Sequence, residues 1–168
     1  MAKLEGLHDL FLEQLKDMYD SEKQIIKALP KMIKEAENAQ LKRALEEHLE
    51  ETRGHVERLE RVFESVESKA RGQHCPGMEG IIDEGKELLE KDAEPAVRDA
   101  GIIASAQRVE HYEMAAYGTL IAYAKDMGHR EAITLLQQTL KEEEAADRKL
   151  TEISRTVNND AMQPVGAH

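Results

Sequence analysis

A chain of 168 residues is long enough for one domain with a hydrophobic core and too short for two comfortable ones. Charged residues make up 34% of it and aromatic residues 4%, with four prolines and no tryptophan, a composition typical of long helices flanked by solvent. The net charge of −11, without a cluster of basic residues, disfavours nucleic acid and anionic membranes as partners.

Two long helices are predicted in the first part of the chain. Apolar residues recur every three or four positions from Leu4 to about Ala36, which places them on one side of a helix. Pro30 lies inside this pattern and predicts a distortion of the last turns. After a short polar turn, the same spacing runs from Leu41 to Val66 and ends before the breakers in "RGQHCPG".

The second part of the chain repeats this organisation. The segment "MEGIIDEGKELLEKD" predicts a short amphipathic helix, which acts as a crossover between the two parts. Pro95 suits the first turn of a third long helix, and Gly128 suits its end. The fourth long helix is predicted from Ala132 to Ile153, and no periodicity follows Ser154.

Together these elements predict an all-α fold. Two antiparallel helical hairpins joined by one longer connection describe a ferritin-like four-helix bundle with a short extra helix in the crossover. We assign this bundle to residues 1–157 and a flexible C-terminal tail to residues 158–168.

Several acidic residues fall on the apolar faces of these helices, where acidic residues are rare. At about 100° per residue, Glu22 lies at the centre of the apolar face of the first helix. Glu110 and Glu113 are central on the third helix, and Glu143 is central on the fourth with Asp147 close beside it. Contact with solvent, which explains most acidic side chains, does not explain acidic side chains at the centre of an apolar face.

The second helix contributes a weaker set. His55 lies on its apolar face, and Glu51 lies at the edge of that face, one turn earlier. His48 also faces inward, and we expect a supporting or structural role for it.

These residues also agree in height along the bundle. At about 1.5 Å per residue, they lie on the order of 24 Å from turns near residues 38 and 128. Each antiparallel hairpin therefore brings its own residues level, in the middle of the bundle. Because burial and mutual repulsion both raise carboxyl pKa values, converging carboxylates cannot all ionise without added positive charge.

No Lys or Arg falls on these faces at that level, so we predict two bound metal ions. Oxygen-rich ligation with one imidazole favours iron, with manganese as the alternative, over zinc. Glu113 or Glu51 is the candidate bridging ligand. The predicted ligands are Glu22, Glu51, His55, Glu110, Glu113, Glu143 and Asp147.

Each position also has a simpler structural explanation. A single Glu on an apolar face of a Glu-rich helix is more often a boundary residue whose charge reaches solvent. His55 is also explained as a hydrogen-bonding core residue, and Tyr117, one turn beyond Glu113, as a packed core side chain. The agreement in height among four helices favours the metal site.

The cellular environment follows from what the chain lacks. Cys75 is the only cysteine, so no disulfide can form within the chain. The N-terminus shows no apolar run of the signal-peptide type, and no stretch approaches the roughly twenty apolar residues of a membrane span. We therefore expect a cytoplasmic protein.

Four motifs resemble a known family. These are "YDSEKQ", "HLEETRGHVERLE", "QRVEHYEMAAYGTLIAYA" and "LKEEEAADRKL", and they closely resemble the YciE/YciF-type family of bacterial ferritin-like stress proteins over about residues 4–155. The resemblance implies a ferritin-like bundle, a cytoplasmic homodimer and a di-metal centre.

The sequence departs from the wider ferritin-like pattern, in which Glu-x-x-His occurs on two helices. Gly54 stands three positions after Glu51, and Ala146 stands three positions after Glu143. We therefore expect a ligand set with few histidines. A Cys-x-x-Cys pair for electron transfer is also absent, so a peroxidase cycle would need an external reductant.

The function predicted from the sequence is that of a di-iron or iron–manganese stress protein. Its expected activity is oxidation of ferrous iron with oxygen or peroxide. Two alternatives remain: a non-enzymatic dimeric protein with a structural or metal-sequestering role, and a mini-ferritin cage whose oxidation site lies between subunits.

Overall fold

The computed structural model describes residues 3–162 and shows five helices. Their bounds are α1 Leu7–Glu35, α2 Ala39–Ser65, α3 Pro76–Leu89, α4 Pro95–Met127 and α5 Arg130–Ala161. No strand occurs among the described residues, which confirms the all-α prediction. Of these five helices, none is both long enough and apolar enough to cross a membrane.

The four long helices form a ring of contacts in which α1 and α5 each lie against both α2 and α4. At one end, Asp99 near the start of α4 accepts hydrogen bonds from the backbone N–H groups of Glu37 and Asn38, between α1 and α2. At the other end, the ring of His129, between α4 and α5, lies 6.0 Å from that of Phe11 in α1. Helix α4 therefore runs antiparallel to α1.

Local chemistry sets the helix ends. Pro95 occupies the first turn of α4. Backbone N–H groups in a first turn have no partner within the helix, so the N–H that proline lacks is not needed there. Gly128 ends α4 with a φ of 74°, a left-handed conformation that glycine adopts without steric strain. Asn38 caps α2, since its side chain accepts hydrogen bonds from the N–H groups of Gln40 and Leu41.

Replacement of Asp99 by Ala is expected to lower the free energy of unfolding by about 2 kcal/mol, because two backbone donors would lose a charged acceptor. The Asp99 side chain is 3% exposed and lies 2.9 Å from Glu37 N and 2.7 Å from Asn38 N. Urea unfolding measures the change, with Asp126→Ala on the exposed side of the same helix as the control. Equal stability of the two variants would contradict this role.

The crossover between α2 and α4 runs back along α1. Gln73 N donates to Lys16 O, and Cys75 N donates to the carboxylate of Asp20. Helix α3 then packs on the outside of α1 and α4. The crossover therefore carries the chain from one end of the ring to the other.

Cys75 begins α3 and is fully buried, with Sγ 3.2 Å from the hydroxyl of Tyr112. Burial raises the pKa of its thiol, although the hydrogen bond with Tyr112 opposes this. Because the thiolate is the reactive form, iodoacetamide is expected to modify native Cys75 about 100-fold more slowly than the unfolded chain. Mass spectrometry with and without denaturant measures the two rates, and similar rates would contradict the burial.

Helix α5 is longer than the sequence analysis predicts. It continues past Ser154 to Ala161, and Val157 is buried in the core. Val157 stands four positions after Ile153 and continues the apolar spacing of Leu150 and Ile153, a signal in the sequence that the prediction missed. The predicted tail over residues 158–168 therefore begins inside a helix, and residues 163–168 lie outside the described residues.

The interior consists of two apolar clusters on either side of a polar layer. The first cluster lies toward the turn between α1 and α2 and includes Ile25 and Leu45. The second lies toward the turn between α4 and α5 and includes Met18 and Leu135. Glu22, which stands between Met18 and Ile25 on α1, lies in the layer between them.

Candidate metal centre

Six ionisable side chains from all four long helices meet in this polar layer. They are Glu22 of α1, His48 and His55 of α2, Glu110 and Glu113 of α4, and Glu143 of α5. The four carboxylates are at most 1% exposed, and the two histidines at most 6%. Helical periodicity explains the alignment, since the residues that share a helix are spaced by three or by seven positions and so lie on one face.

The six side chains form two overlapping groups. Ligand atoms of His48, Glu110, Glu113 and Glu143 all lie within 4.8 Å of one another, and those of Glu22, His55 and Glu143 do the same. Glu143 belongs to both groups. We name the first the His48 group and the second the His55 group.

The hydrogen bonds of this layer are incomplete. Among the described residues, eleven buried side-chain nitrogen or oxygen atoms make no hydrogen bond of good geometry, and nine of them belong to these six residues. Some of these nine nevertheless lie only 2.8 to 3.4 Å from an atom of another of the six residues. The other two belong to Ser21 and Arg98. Buried polar atoms in native proteins are almost always satisfied, so this concentration in one layer requires an explanation.

The orientation of His55 is set by residues outside the cluster. Its Nε2 lies 2.9 Å from Glu142, whose carboxylate can only accept, so Nε2 is the donor. Arg58 donates to both oxygens of Glu142 at 2.8 Å and holds it in place. The opposite nitrogen, Nδ1, therefore faces Glu143 and Glu22, at 2.8 and 3.4 Å, as metal-binding histidines are commonly held.

Tyr117 orients the carboxylate of the first helix. Its hydroxyl, fully buried, donates to Glu22 Oε1 at 2.5 Å and leaves Oε2 without a partner. Burial and the adjacent Glu22 charge raise the pKa of Tyr117 well above its usual value, so the hydroxyl keeps its proton. One oxygen of Glu22 is thus occupied and the other remains free.

Electrostatics in the metal-free layer divide the carboxylates into two kinds. Burial and the charge of Glu143 raise the pKa values of Glu110 and Glu113 well above normal. The opposite holds for Glu143, where contacts with Glu110 and the two histidines outweigh burial and lower the pKa. Burial lowers the pKa of His55, but Glu143 and Glu22 outweigh it and raise the value to about 10. Protons therefore supply the positive charge when no ion is bound.

The structure brings together five of the seven predicted ligands, and two lie elsewhere. The five that meet are Glu22, His55, Glu110, Glu113 and Glu143. Glu51 is half exposed on the outer edge of α2, 3.8 Å from His48 Nδ1. Asp147 lies on the seam between α4 and α5, where it accepts a hydrogen bond from Gln107.

Neither residue belongs to the two groups, and the reason is its angle around its helix. Glu51 lies about 40° from His55 and about 60° from His48 around α2, and Asp147 lies about 40° from Glu143 around α5, so each stands at the edge of the inward face. The ligand roles of Glu51 and Asp147, and the bridging role of Glu113 or Glu51, stay predictions. Glu143 is the residue that the two groups share.

His48 is the ligand candidate that sequence reasoning undervalued. It lies seven residues before His55, hence two turns away on the same face, and both of its ring nitrogens lack partners. The set therefore holds two imidazoles instead of the expected one. The signal was its inward-facing position, whereas the support of His55 by Glu142 and Arg58 depends on a contact between helices that no single-helix pattern contains.

Comparison with known proteins gives the family. A family model described as a domain of unknown function, DUF892, matches residues 6–163. The chain is 44% identical to Protein YciF of Escherichia coli over 157 residues, 93% of each chain.

Solved structures agree with this match. The crystal structure of the E. coli stress protein YciF covers 93% of this chain and 99% of that one, with a TM-score of 0.90 and 43% identity. YcfI of Rhodopseudomonas palustris, described as a candidate structural protein, gives a TM-score of 0.87 and 46% identity, with 89% and 95% covered. The chain therefore belongs to the DUF892 family, and its similarity to YciF confirms the relationship that the four sequence motifs predict.

Proposed function

We propose that the chain is a ferritin-like di-metal stress protein that oxidises ferrous iron with oxygen or peroxide. The observation that carries this proposal is the set of nine unpartnered buried atoms in one layer across four helices. A layer kept only for stability would gain from hydrogen bonds or apolar side chains at these positions. Ligands for cations need free lone pairs instead.

The donors in the layer fit two metal ions. Four carboxylates and two imidazoles match the number and type of donors that ferritin-like bundles use for two irons or two manganese ions. Two divalent ions would balance the charges of four carboxylates, which removes the repulsion described above. This donor chemistry suits iron, or iron with manganese, better than zinc.

The two overlapping groups assign a role to each side chain. Glu143 would contact both ions, the rest of the His48 group would hold one, and Glu22 with His55 would hold the other. Bound iron supplies one-electron chemistry with oxygen or peroxide. The chain itself orients His55 through Glu142, holds one oxygen of Glu22 through Tyr117, and keeps bulk water out with the two apolar clusters.

A second function is a non-enzymatic one, in which a dimeric structural or metal-sequestering protein holds the ions without turnover. Two observations favour it: the six side chains are almost completely buried, and the similar YcfI is described as a candidate structural protein. Activity separates the two functions, because a sequestering protein binds iron without accelerating its oxidation.

Anaerobic titration of metal-free protein with ferrous iron tests the proposal. Saturation is expected near two ions per chain, and rapid mixing with oxygen or with peroxide is then expected to oxidise the iron faster than in protein-free buffer. Stoichiometric binding without faster oxidation would support sequestration. If no ferrous iron binds, the proposal is wrong and the layer has only a structural role.

The proposal includes a cytoplasmic homodimer. A mini-ferritin cage places its oxidation site between subunits, whereas all six candidate ligands here come from one chain. The homodimer is what the family resemblance implies, and for it light scattering is expected to give a mass near twice 19.0 kDa. A particle many times larger would favour the cage.

A further inference from the structure

We propose that cations reach the buried layer through a gap between α2 and α5, and that Glu51 receives them there and passes them to His48. This inference rests on the proposed function, since it concerns how the same site is filled. It assigns to Glu51 a role in uptake, in place of the ligand role predicted from the sequence.

A cavity of about 170 Å³ lies between these two helices. Its outer part is lined by the exposed side chains of Glu47 and Glu51, and its inner part by the buried His48 and Glu110. The cavity therefore connects solvent with the His48 group. Its volume is several times the space of one water molecule, so a partly hydrated cation fits.

Small side chains keep this gap open. Ala44 of α2 and Ala145 and Ala146 of α5 line the cavity, where larger residues would close the space between the helices. Ala145 is exposed and Ala146 half-buried, so neither is a core residue in the usual sense. The gap therefore lies at a seam between α2 and α5 that small side chains line.

The donors along the gap form a series from outside to inside. Glu51 Oε2 lies 3.8 Å from His48 Nδ1, and His48 Nε2 lies 3.2 Å from Glu110 Oε1. The His48 side chain is 6% exposed and neither nitrogen has a hydrogen-bond partner. A cation can therefore exchange one donor for the next, which limits the loss of its hydration between walls that are otherwise apolar.

A neighbouring cavity that also reaches His48 and Glu110 lacks these properties. It measures about 20 Å³ and is otherwise lined by apolar residues such as Ile25, Leu29 and Val109. A hydrated cation does not fit it, and no acidic residue lines its outer part. The charged series belongs to the gap between α2 and α5.

Lys149 adds a specific feature at the opening. It extends from α5 across the gap and forms an ion pair with Glu47 of α2. Its positive charge opposes the approach of a cation, whereas Glu51 favours it. Removal of Lys149 and removal of Glu51 should therefore change the rate of loading in opposite directions.

Stopped-flow absorption of Co²⁺ binding to metal-free protein tests this, with equilibrium titration of the same variants. Glu51→Gln is expected to slow loading on the order of 10-fold and Lys149→Gln to accelerate it, because charges at an opening act on association rates. The dissociation constant and the number of ions should stay near wild type. Glu46→Gln, an exposed glutamate on the same helix outside the cavity, makes the same change in net charge and serves as the control.

The outcomes separate the route from the site. Equal slowing by Glu51→Gln and Glu46→Gln would overturn the route and leave the proposed function standing. Loss of an ion at equilibrium in Glu51→Gln would also overturn it, because Glu51 would then be a ligand. If wild-type protein binds no Co²⁺ and no ferrous iron, the proposed function fails and the route fails with it. Ala145→Leu, which narrows the gap without changing charge, is expected to slow loading as Glu51→Gln does.

Discussion

Replacement of Glu143 by Gln is expected to weaken metal binding by about 100-fold or more at both positions of the layer. Loss of a residue that only supports a ligand commonly weakens affinity 10- to 100-fold, and Glu143 belongs to both groups of candidate ligands. The carboxylate is fully buried, and its contacts with Glu110, His48 and His55 keep it ionised despite burial. Gln keeps the shape and removes the charge.

Titration with Mn²⁺ followed by electron paramagnetic resonance measures both the number of ions and their affinity. The matched control is Glu144→Gln, since Glu144 is the next residue on α5 and is exposed. Wild-type protein and the control should bind alike. If Glu143→Gln also bound two ions with unchanged affinity, the assignment of Glu143 as the shared ligand would be wrong.

Replacement of Glu113 by Gln is expected to stabilise the metal-free protein at about pH 7, and by more than it does at about pH 5. Both carboxylate oxygens of Glu113 are buried without a partner. Burial, followed by the charges of Glu143 and Glu22, raises its pKa well above the usual 4.5. The folded chain therefore keeps a proton that the unfolded chain releases.

The direction of the pH dependence follows from this difference in bound protons. Above pH 4.5 the folded state binds more protons than the unfolded state, so the free energy of unfolding falls as pH rises toward the raised folded-state pKa. The loss is up to about 1.4 kcal/mol per pH unit for one such group. Gln titrates in neither state, so the advantage of the variant should grow from about pH 5 to about pH 7.

Metal ions are expected to remove this advantage. An ion that binds only the folded state at 100 times its dissociation constant adds about 2.7 kcal/mol, and the variant should lose most of this gain. Thermal unfolding of both proteins with and without Mn²⁺ measures the change, with Asp126→Asn on the exposed side of α4 as the control. A variant that is less stable than wild type without metal would show that Glu113 supports the fold.

The five helices and their order are predictable from this sequence because each depends on local properties. Apolar spacing determines the inward face of each helix, and Pro95 and Gly128 mark the ends of α4. Inward-facing Glu22, Glu110, Glu113 and Glu143 are recognisable by the same spacing, since acidic residues are rare on an apolar face. Agreement in height follows from the helical rise alone.

Only the tertiary structure shows whether a residue at the edge of an apolar face is buried or exposed. Glu51 and His48 lie on the same side of α2, and both are compatible with a ligand role at about 100° per residue. The position of α2 between α1 and α5 buries His48 and leaves Glu51 at the opening of a cavity. The rotation of a helix about its own axis is decided by the neighbours against which it packs, which no pattern within one helix specifies.

The sequence by itself determined the fold class, the helix order and the four buried carboxylates, because periodicity and composition act within one helix at a time, and the resemblance of its four motifs indicated the family. Only the tertiary structure decided that His48 joins the layer, that Glu143 is shared, and that Arg58 holds Glu142 against His55. The contacts of Glu142 with His55 and with Arg58 join residues 87 and 84 positions apart in the chain. Such contacts depend on the relative position and rotation of whole helices, and only about 40° to 60° around α2 separates Glu51 at the edge from the two histidines of the layer.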